Sequence, residues 1–184
     1  MVQAPAPQLE TVRQLEEQAT EPVSTKVSID IKTPLEWFFY WFTSMDISRV
    51  MHRYWLLPGV TGTKDQTGPM HLAGSSRVLL LSDGTTTNEE IISSNPPNEV
   101  IYQILGIENS FRYLVSKARG ELRFREVKAG ITNVELRYSY YGLNGVSTFV
   151  LKILIPIFWR GFMRSALNRT KRIAEEEALV KSQS

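Results

Sequence analysis

Apolar and polar residues alternate over several short segments of the chain, a pattern typical of β-strands with one buried face. In the first segment, residues 23–31, valines and isoleucines are separated by polar residues. Further strands are predicted at 77–81, 86–92 and 100–107, within 113–127, and at 131–141. Turn sequences separate these strands, and Asp83-Gly84 is the strongest hairpin signal among them. The pattern therefore predicts a meander of antiparallel strands.

Two short helices are predicted between the first strand and the meander. Thr33 is the expected N-cap of the first helix, with Pro34 at the first helical position. This helix holds the aromatic run WFFYWF at 37–42. Asp46 is the expected cap of the second helix, which would extend to about His52.

A glycine-rich connection at 58–74 leads from the second helix to the meander. Its residues Val60 and Thr61 fit a strand. The sequence TGTKDQTG at 61–68 is predicted to be a loop, because glycine and aspartate favour turns.

The most apolar stretch, FVLKILIPIFWRGFM at 149–163, lies near the C-terminus. A bilayer span needs about 20 mostly apolar residues, whereas this stretch is shorter, contains Lys152 and Arg160, and is interrupted by Pro156. We therefore expect no membrane span. We expect instead an amphipathic helix that begins at Pro156, preceded by a separate short helix or lead-in at 147–155. The predicted inner stripe is Phe162, Ala166, Thr170, Ile173 and Glu177.

Composition is that of an ordinary globular protein. The chain has 184 residues, of which 42% are hydrophobic and 22% charged. Its net charge of +2 gives no reason to expect nucleic acid as a partner. There is no cysteine, which excludes disulfides and thiolate metal sites, and MVQAPAPQLE does not have the pattern of a signal peptide. We expect a cytoplasmic protein, either a monomer or a homodimer.

The order of elements predicts an α+β fold for residues 23–180, a single ligand-binding domain, preceded by a flexible extension at 1–22. Only the long helix is large enough to cover the buried face of the sheet. A curved sheet wrapped around a helix leaves a cavity between them, and this cavity is the expected place for an apolar ligand.

Three segments resemble a known family. They are VSIDIKTPLEWFFYWFTSMD, GSSRVLLLSDGTTTNEEIISSNPPNEVIYQI and GELRFREVKAGITNVELRYSY. In order and spacing they are similar to the START-related superfamily (often called SRPBCC), particularly its polyketide cyclase/dehydrase branch. The resemblance covers about residues 24–178 and implies a helix-grip fold, in which a curved antiparallel sheet wraps around a long C-terminal helix. Relatives bind or transform aromatic polyketides, lipids, plant hormones or coenzyme Q, and the fold alone does not choose among these ligands.

Candidate ligand-binding residues are those expected to line the cavity. Alternation places Leu136, Tyr138 and Tyr140 on the inner face of the last strand, and Leu136 stands where relatives frequently carry tryptophan. A buried phenol needs a hydrogen-bond partner, which can be a ligand oxygen, the backbone or water. The further candidates are Trp41, Arg77, Tyr102, Phe158, Trp159 and Phe162.

Candidate catalytic residues are few. One carboxylate of the pair Glu89-Glu90, with Glu90 as the candidate, could face inward and polarise a ligand, or act as a base if burial raised its pKa. Both glutamates could instead lie in solvent or bind Arg77. His52 could serve as an acid or base, or it could be a solvated or capping histidine. The two histidines make no zinc signature, and no dinucleotide or phosphate motif is present. No metal and no cofactor are therefore expected.

Two functions stay open at the level of sequence. The first is binding of a hydrophobic or aromatic small molecule, with cyclase/dehydrase-like catalysis steered by Tyr138, Tyr140, Glu90 and His52. The second is non-catalytic binding and transport of a lipid or isoprenoid, with peripheral membrane contact through FVLKILIPIFW, because aromatic and basic residues share this segment.

Overall fold

Seven antiparallel strands, a short helix and a long C-terminal helix make up residues 21–182, the part of the chain described by a computed structural model. The strands are β1 (Val23–Ile31), β2 (Val60–Lys64), β3 (Ser76–Leu81), β4 (Thr86–Asn95), β5 (Glu99–Leu105), β6 (Val115–Lys128) and β7 (Ile131–Gly142). The helices are α1 (Leu35–Ser44), α2 (Gly145–Leu154) and α3 (Arg160–Ser182), with 3₁₀ turns at Ile47–Arg49 and Ser110–Tyr113. The predicted extension at 1–22 lies outside the described residues, apart from its last two.

The strands form one sheet in the order β1-β7-β6-β5-β4-β3-β2. The predicted alternation holds on β7, where Val134, Leu136 and Tyr138 are buried and Arg137 is exposed. The pairings of β2 with β3, β4 with β5 and β6 with β7 contain register shifts. Such bulges bend a strand and increase its twist, so the sheet curves. The predicted α+β fold, a curved antiparallel sheet around a long C-terminal helix, is confirmed.

The long helix runs through Pro156, so the prediction that it begins there is wrong. A π-helical turn at Ile155–Trp159 joins α2 to α3. The wider turn accommodates a proline, which lacks the N–H of a regular helical bond, without ending the helix. The helix begins instead after Asn144, whose side-chain oxygen accepts a hydrogen bond from the Ser147 backbone N–H at 2.9 Å.

The helix packs on the inner face of the sheet along one side. Of the predicted stripe, Phe162, Ala166 and Thr170 are buried, and Met163 and Leu167 join them. By length and composition the segment Gly145–Lys181 could cross a membrane. Of its most apolar stretch of 18 residues, 33% is buried inside the domain. One such helix is weak evidence for a membrane span, because core helices of soluble proteins pass the same test of length and composition. Pro156 does not interrupt the helix, so it no longer counts against a membrane span. The burial of one side of the helix against the sheet is what the structure shows instead.

The start of α1 also differs from the prediction. The helix begins at Leu35, and Phe38 N–H donates to the carbonyl of Pro34 at 3.0 Å. The Thr33 hydroxyl caps nothing and has no hydrogen-bond partner. The Thr33 carbonyl accepts a hydrogen bond from the Thr132 hydroxyl at 2.8 Å, which holds this residue against β7 instead of at the helix end.

Two other local predictions need correction. Asp46 accepts a hydrogen bond from the Ser48 N–H at 3.0 Å as expected, but it caps only the 3₁₀ turn Ile47–Arg49 and no helix reaches His52. Residues 62–64 belong to β2, because they pair with β3. The sheet partner outweighs the weak strand propensity of this glycine-containing segment.

The aromatic helix α1 closes one end of the sheet. Phe38 and Phe39 are fully buried, and the Phe39 ring meets the Phe124 ring edge to face at 5.3 Å. The Trp41 indole N–H donates to Glu177 of α3 at 2.6 Å. These contacts fix the far end of the long helix and leave the space between sheet and helix open elsewhere.

Candidate functional site

Two adjoining pockets lie between the inner face of the sheet and the long helix. We call them the tryptophan pocket, lined by Trp159, and the arginine pocket, lined by Arg77. Their empty volumes are about 680 Å³ and about 840 Å³, both including some space open to solvent. Both walls contain Met51, Val60, Leu79 and Tyr138. Because they share these residues, the pockets can act as two ends of one cavity.

The tryptophan pocket is almost entirely apolar. Trp159, from the π-helical turn, meets the rings of Tyr140 and Phe162 at centroid distances of 5.1 Å each. The opposite wall comes from the connection before β2 and from β3 and β5, through Leu57, Leu81 and Ile104. Such a lining removes water from an apolar ligand, which is the main source of affinity for small molecules in protein pockets.

The arginine pocket combines apolar walls with one ion pair. Leu122, Leu136 and Met163 are among its apolar residues, and Arg77 and Glu89 are its charged ones. Charged side chains are rarely buried unless they are paired. A buried pair in a mostly apolar wall therefore marks this pocket as a candidate site.

The ion pair is built by two neighbouring strands. Arg77 of β3 lies directly opposite Glu89 of β4, and the Arg77 Nε–H donates to Glu89 Oε2 at 2.5 Å. Their side chains are only 10% and 9% exposed. Because Thr87, Glu89 and Ile91 alternate with more exposed residues along β4, the pleat turns the Glu89 carboxylate toward the helix.

Tyr102 and Tyr138 line the arginine pocket with this pair, and Tyr140 follows in the wall of the tryptophan pocket. Tyr102 and Tyr138 meet edge to face at 5.8 Å, and Tyr138 stacks on Tyr140 at 5.6 Å. Burial raises the pKa of all three hydroxyls above the ordinary tyrosine value, and the negative charge of Glu89 raises it further for Tyr102 and Tyr138. The three phenols are therefore neutral hydrogen-bonding groups at ordinary pH, and the buried Tyr140 hydroxyl has no partner.

Most of the predicted ligand-binding residues line one of the two pockets. Those in the walls are Arg77, Tyr102, Leu136, Tyr138, Tyr140, Trp159 and Phe162. Trp41 lies outside both walls, because its indole stacks on Trp37 and binds Glu177. Phe158 is also outside, since the helix turns its ring toward the surface, where it meets Trp55 at 6.4 Å. Binding by the wall residues stays a prediction.

The two catalytic candidates are not in the pockets. Glu90 lies on the outer face of β4, where its carboxylate accepts a hydrogen bond from the Gln103 side-chain N–H at 2.8 Å. Its neighbour Glu89 faces inward instead, so the condition under which Glu90 was expected to act, an inward-facing carboxylate, is not met. His52 is exposed in the segment before β2 and lines neither pocket.

Sequence reasoning named the pair Glu89-Glu90 but chose Glu90 as the candidate, although the signal for Glu89 was present. Ile91 is a buried strand residue, and period-2 alternation from Ile91 places Glu89 on the same face. The wall residues Met51 and Phe111 carried no such signal, because both belong to irregular connections. Over residues 21–182, no three histidine, aspartate or glutamate side chains converge as a metal site would require.

The profile of the polyketide cyclase / dehydrase and lipid transport family matches residues 22–175. The chain belongs to this family. The resemblance seen in the sequence is therefore confirmed at the level of the superfamily and of the branch. No curated protein matches the sequence.

Solved structures extend the family assignment to the fold. The di-domain ARO/CYC StfQ of the steffimycin biosynthetic pathway has a TM-score of 0.63 at 14% identity, covering 92% of this chain and 56% of StfQ. A point mutant of norcoclaurine synthase of Thalictrum flavum has a TM-score of 0.60 at 11% identity, and the match covers 86% of this chain and 98% of the synthase. Ginseng major latex-like protein 151 of Panax ginseng has a TM-score of 0.59 at 15% identity, and the match covers 83% of this chain and 97% of the ginseng protein. At identities this low, the similarity shows that this chain shares the fold of these proteins. It does not show that the chain binds the same ligands.

Proposed function

We propose that the two pockets form one cavity that binds a hydrophobic or aromatic small molecule bearing an uncharged oxygen group. The observation that carries this proposal is the buried Arg77–Glu89 pair, with Tyr102 and Tyr138 beside it, inside an apolar cavity. Apolar walls with a few convergent polar groups are typical of small-molecule sites. Family membership points to the same class of function.

The charge of the site favours an uncharged ligand. Arg77 and Glu89 neutralise one another, so a ligand carboxylate would have to displace Glu89 from the guanidinium. Arginine carries five N–H donors, and Glu89 accepts from Nε, which leaves further N–H groups for a carbonyl or hydroxyl oxygen. The neutral hydroxyls of Tyr102 and Tyr138 complement such an oxygen as donors or acceptors.

An enzyme of the cyclase/dehydrase type is one form of this function. Holding a flexible chain in a reactive shape would supply much of the rate, because correct orientation lowers the entropic cost of reaction. Tyr138 and Tyr140 would donate to a developing enolate oxygen, and Glu89 is the carboxylate that lines the cavity. Norcoclaurine synthase has been solved in complex with dopamine and hydroxybenzaldehyde, and StfQ is an ARO/CYC of the steffimycin biosynthetic pathway; both share this fold and support the proposal of an aromatic ligand.

A non-catalytic carrier of lipids or isoprenoids is the second candidate. One specific observation favours it: the long helix exposes large apolar side chains beside the tryptophan pocket. A carrier would release its ligand unchanged, whereas an enzyme would release a product of different mass. Native mass spectrometry of the purified protein, followed by mass analysis of the extracted ligand after incubation, separates the two candidates.

Binding itself is tested with two probes of similar shape, 2-acetylnaphthalene and 2-isopropylnaphthalene, by calorimetric titration. The wild type should bind both, and the acetyl compound more tightly. The double variant Arg77→Met/Glu89→Leu replaces the buried pair by apolar side chains of similar size, a change that proteins often tolerate. It should bind both probes equally.

The matched control is Lys26→Met/Glu135→Leu, which removes an ion pair on the outer face and should preserve the difference in affinity between the two probes. If neither probe binds the wild type, the proposal fails.

A further inference from the structure

A row of large apolar side chains occupies the exposed side of the long helix. Its members are Val146, Phe149, Ile153 and Ile157, each between 50% and 76% exposed. They follow one another at three- or four-residue spacing, which places them on one side of a helix. Leu151 and Ile155 on the opposite side are buried in the core, so the row is not needed to hold the helix on the sheet.

A tight turn brings two more apolar side chains to the same surface. Trp55 and Leu56 are 74% and 82% exposed at the tip of a turn closed by two backbone hydrogen bonds between Tyr54 and Leu57. Trp55 has a positive φ of 53°, a conformation unfavourable for a bulky side chain. Its ring meets Phe158 at 6.4 Å, so the turn lies beside the helix. Trp55, Leu56 and the four residues of the row are called the apolar surface below.

Only positive charges flank the apolar surface in sequence. No aspartate or glutamate occurs between Asp46 and Asp65 or between Glu135 and Glu175. The exposed cations in these two segments include Arg53, Lys152, Arg160 and Arg164. An apolar helix face flanked in sequence by exposed lysine and arginine, without acidic residues, is characteristic of helices that bind at the surface of an anionic membrane.

The apolar surface borders the tryptophan pocket. Leu57 and Pro58, directly after the turn, and Trp159, directly after Phe158, are wall residues of that pocket. The Tyr54 ring packs on Phe162 at 6.4 Å, and a side chain at Gly161 would collide with the Tyr54 hydroxyl. The turn and the helix therefore hold the pocket wall and the exposed surface in one unit.

We propose that the apolar surface docks on an anionic lipid bilayer, with α2 and the π-helical turn lying parallel to the membrane plane. The apolar row would enter the headgroup boundary, and Lys152 and Arg160 would reach the lipid phosphates. A second copy of the chain fits less well, because a two-fold interface sets the same patch against itself and would oppose like charges. The cytoplasmic leaflet is rich in anionic lipid, and the sequence leads us to expect a cytoplasmic protein.

Docking gives the pocket a direct route for cargo. An apolar ligand could pass between the bilayer and the tryptophan pocket without crossing water, which would otherwise oppose its transfer. This role in cargo exchange rests on the proposed ligand-binding function, whereas docking itself does not require a ligand.

The test is flotation of the purified full chain with vesicles. Vesicles of equal parts phosphatidylcholine and phosphatidylglycerol are compared with phosphatidylcholine alone, and depth is measured by quenching of tryptophan fluorescence with brominated lipids. The wild type should float with the anionic vesicles and be quenched. Phe149→Glu/Ile153→Glu should reduce the bound fraction by about tenfold or more, since two charges would enter the apolar boundary. Lys152→Gln/Arg160→Gln should weaken binding to the anionic vesicles only.

The matched control is Ile92→Glu/Val127→Glu, which makes the same chemical change at exposed apolar residues away from this surface. It should float like the wild type. The proposal is overturned if the wild type binds neither vesicle, if the control loses as much binding as the row variant, or if the row variant merely dissociates a dimer in sedimentation velocity. Titration of the same variants with 2-acetylnaphthalene in the absence of vesicles reports separately on the ligand-binding function.

Discussion

The Arg77–Glu89 pair is the residue-scale feature on which the site depends. Replacing Glu89 by glutamine keeps the shape of the side chain and leaves the buried guanidinium without its counter-charge. We expect Glu89→Gln to lower the free energy of unfolding by about 3 kcal/mol, as for other buried pairs that lose one partner. Urea unfolding measures this change. Glu90→Gln is the matched control on the outer face and should cost less than about 0.5 kcal/mol. Equal effects of the two variants would show that Glu89 is not buried in the charged state.

The three buried tyrosines predict a loss of stability at alkaline pH. Folding raises the pKa of Tyr102, Tyr138 and Tyr140 above the unfolded value of about 10. Their contribution to stability is therefore fully present below about pH 10 and is lost as the pH rises toward the folded values. In a titration of phenolate absorbance, three of the seven tyrosines should ionise only as the protein unfolds. Reversible ionisation of all seven in the folded protein would contradict the assignment.

Prediction of single residues from the sequence succeeded on β7, where regular alternation decides which side chains face inward. It failed on β4, where one of two adjacent glutamates had to be chosen. Alternation on β7 placed Leu136, Tyr138 and Tyr140 correctly on the inner face. The same rule applied to β4 would have selected Glu89 over Glu90, but a buried charge contradicts the usual preference of glutamate for solvent. The partner that makes burial tolerable, Arg77, comes from the neighbouring strand, and the sequence offers this pairing only as one of several alternatives because the register is not known from it.

At the scale of elements, tertiary contacts overrode local signals in two places. Pro156 normally begins a helix or ends one, yet here the helix widens to a π turn and continues, because both of its halves pack on the same sheet. Residues 62–64 have turn-like composition but extend β2, because β3 offers them a pairing partner. The succession of strands and helices along the chain and the hairpins were predictable, since they depend on hydrophobic period and turn chemistry.

The pairing of β5 with β6 contains a gap that one side chain fills. Gly120 lies opposite Tyr102, and a methyl group added there would overlap the Tyr102 ring. Gly120→Ala must displace this ring from the wall of the arginine pocket. We expect a loss of about 2 kcal/mol in unfolding free energy, as for other overpacked cores, together with weaker probe binding. Gly145→Ala adds a methyl group in open space and is the control in urea unfolding. A neutral Gly120→Ala would refute this packing.

At the scale of the whole molecule, the two pockets are the consequence of the curvature of the sheet. The bulged sheet curls around the helix, α1 closes one end, and the sides that face one another do not fill the space between them. Leu79 stands where the tryptophan and arginine pockets meet and belongs to both walls. A larger side chain at this position would occupy the space that the two pockets share.

Leu79→Trp should therefore block the cavity while the fold remains. With 2-acetylnaphthalene at about 100 times its dissociation constant, the wild type should gain about 2.7 kcal/mol of stability, seen as a higher melting temperature. The blocked variant should gain less than about 0.5 kcal/mol under the same conditions, because the indole takes the place of the ligand. Ile92→Trp, at an exposed position, should behave like the wild type. Full stabilisation of Leu79→Trp would place the ligand outside the cavity, since both pockets meet at this residue.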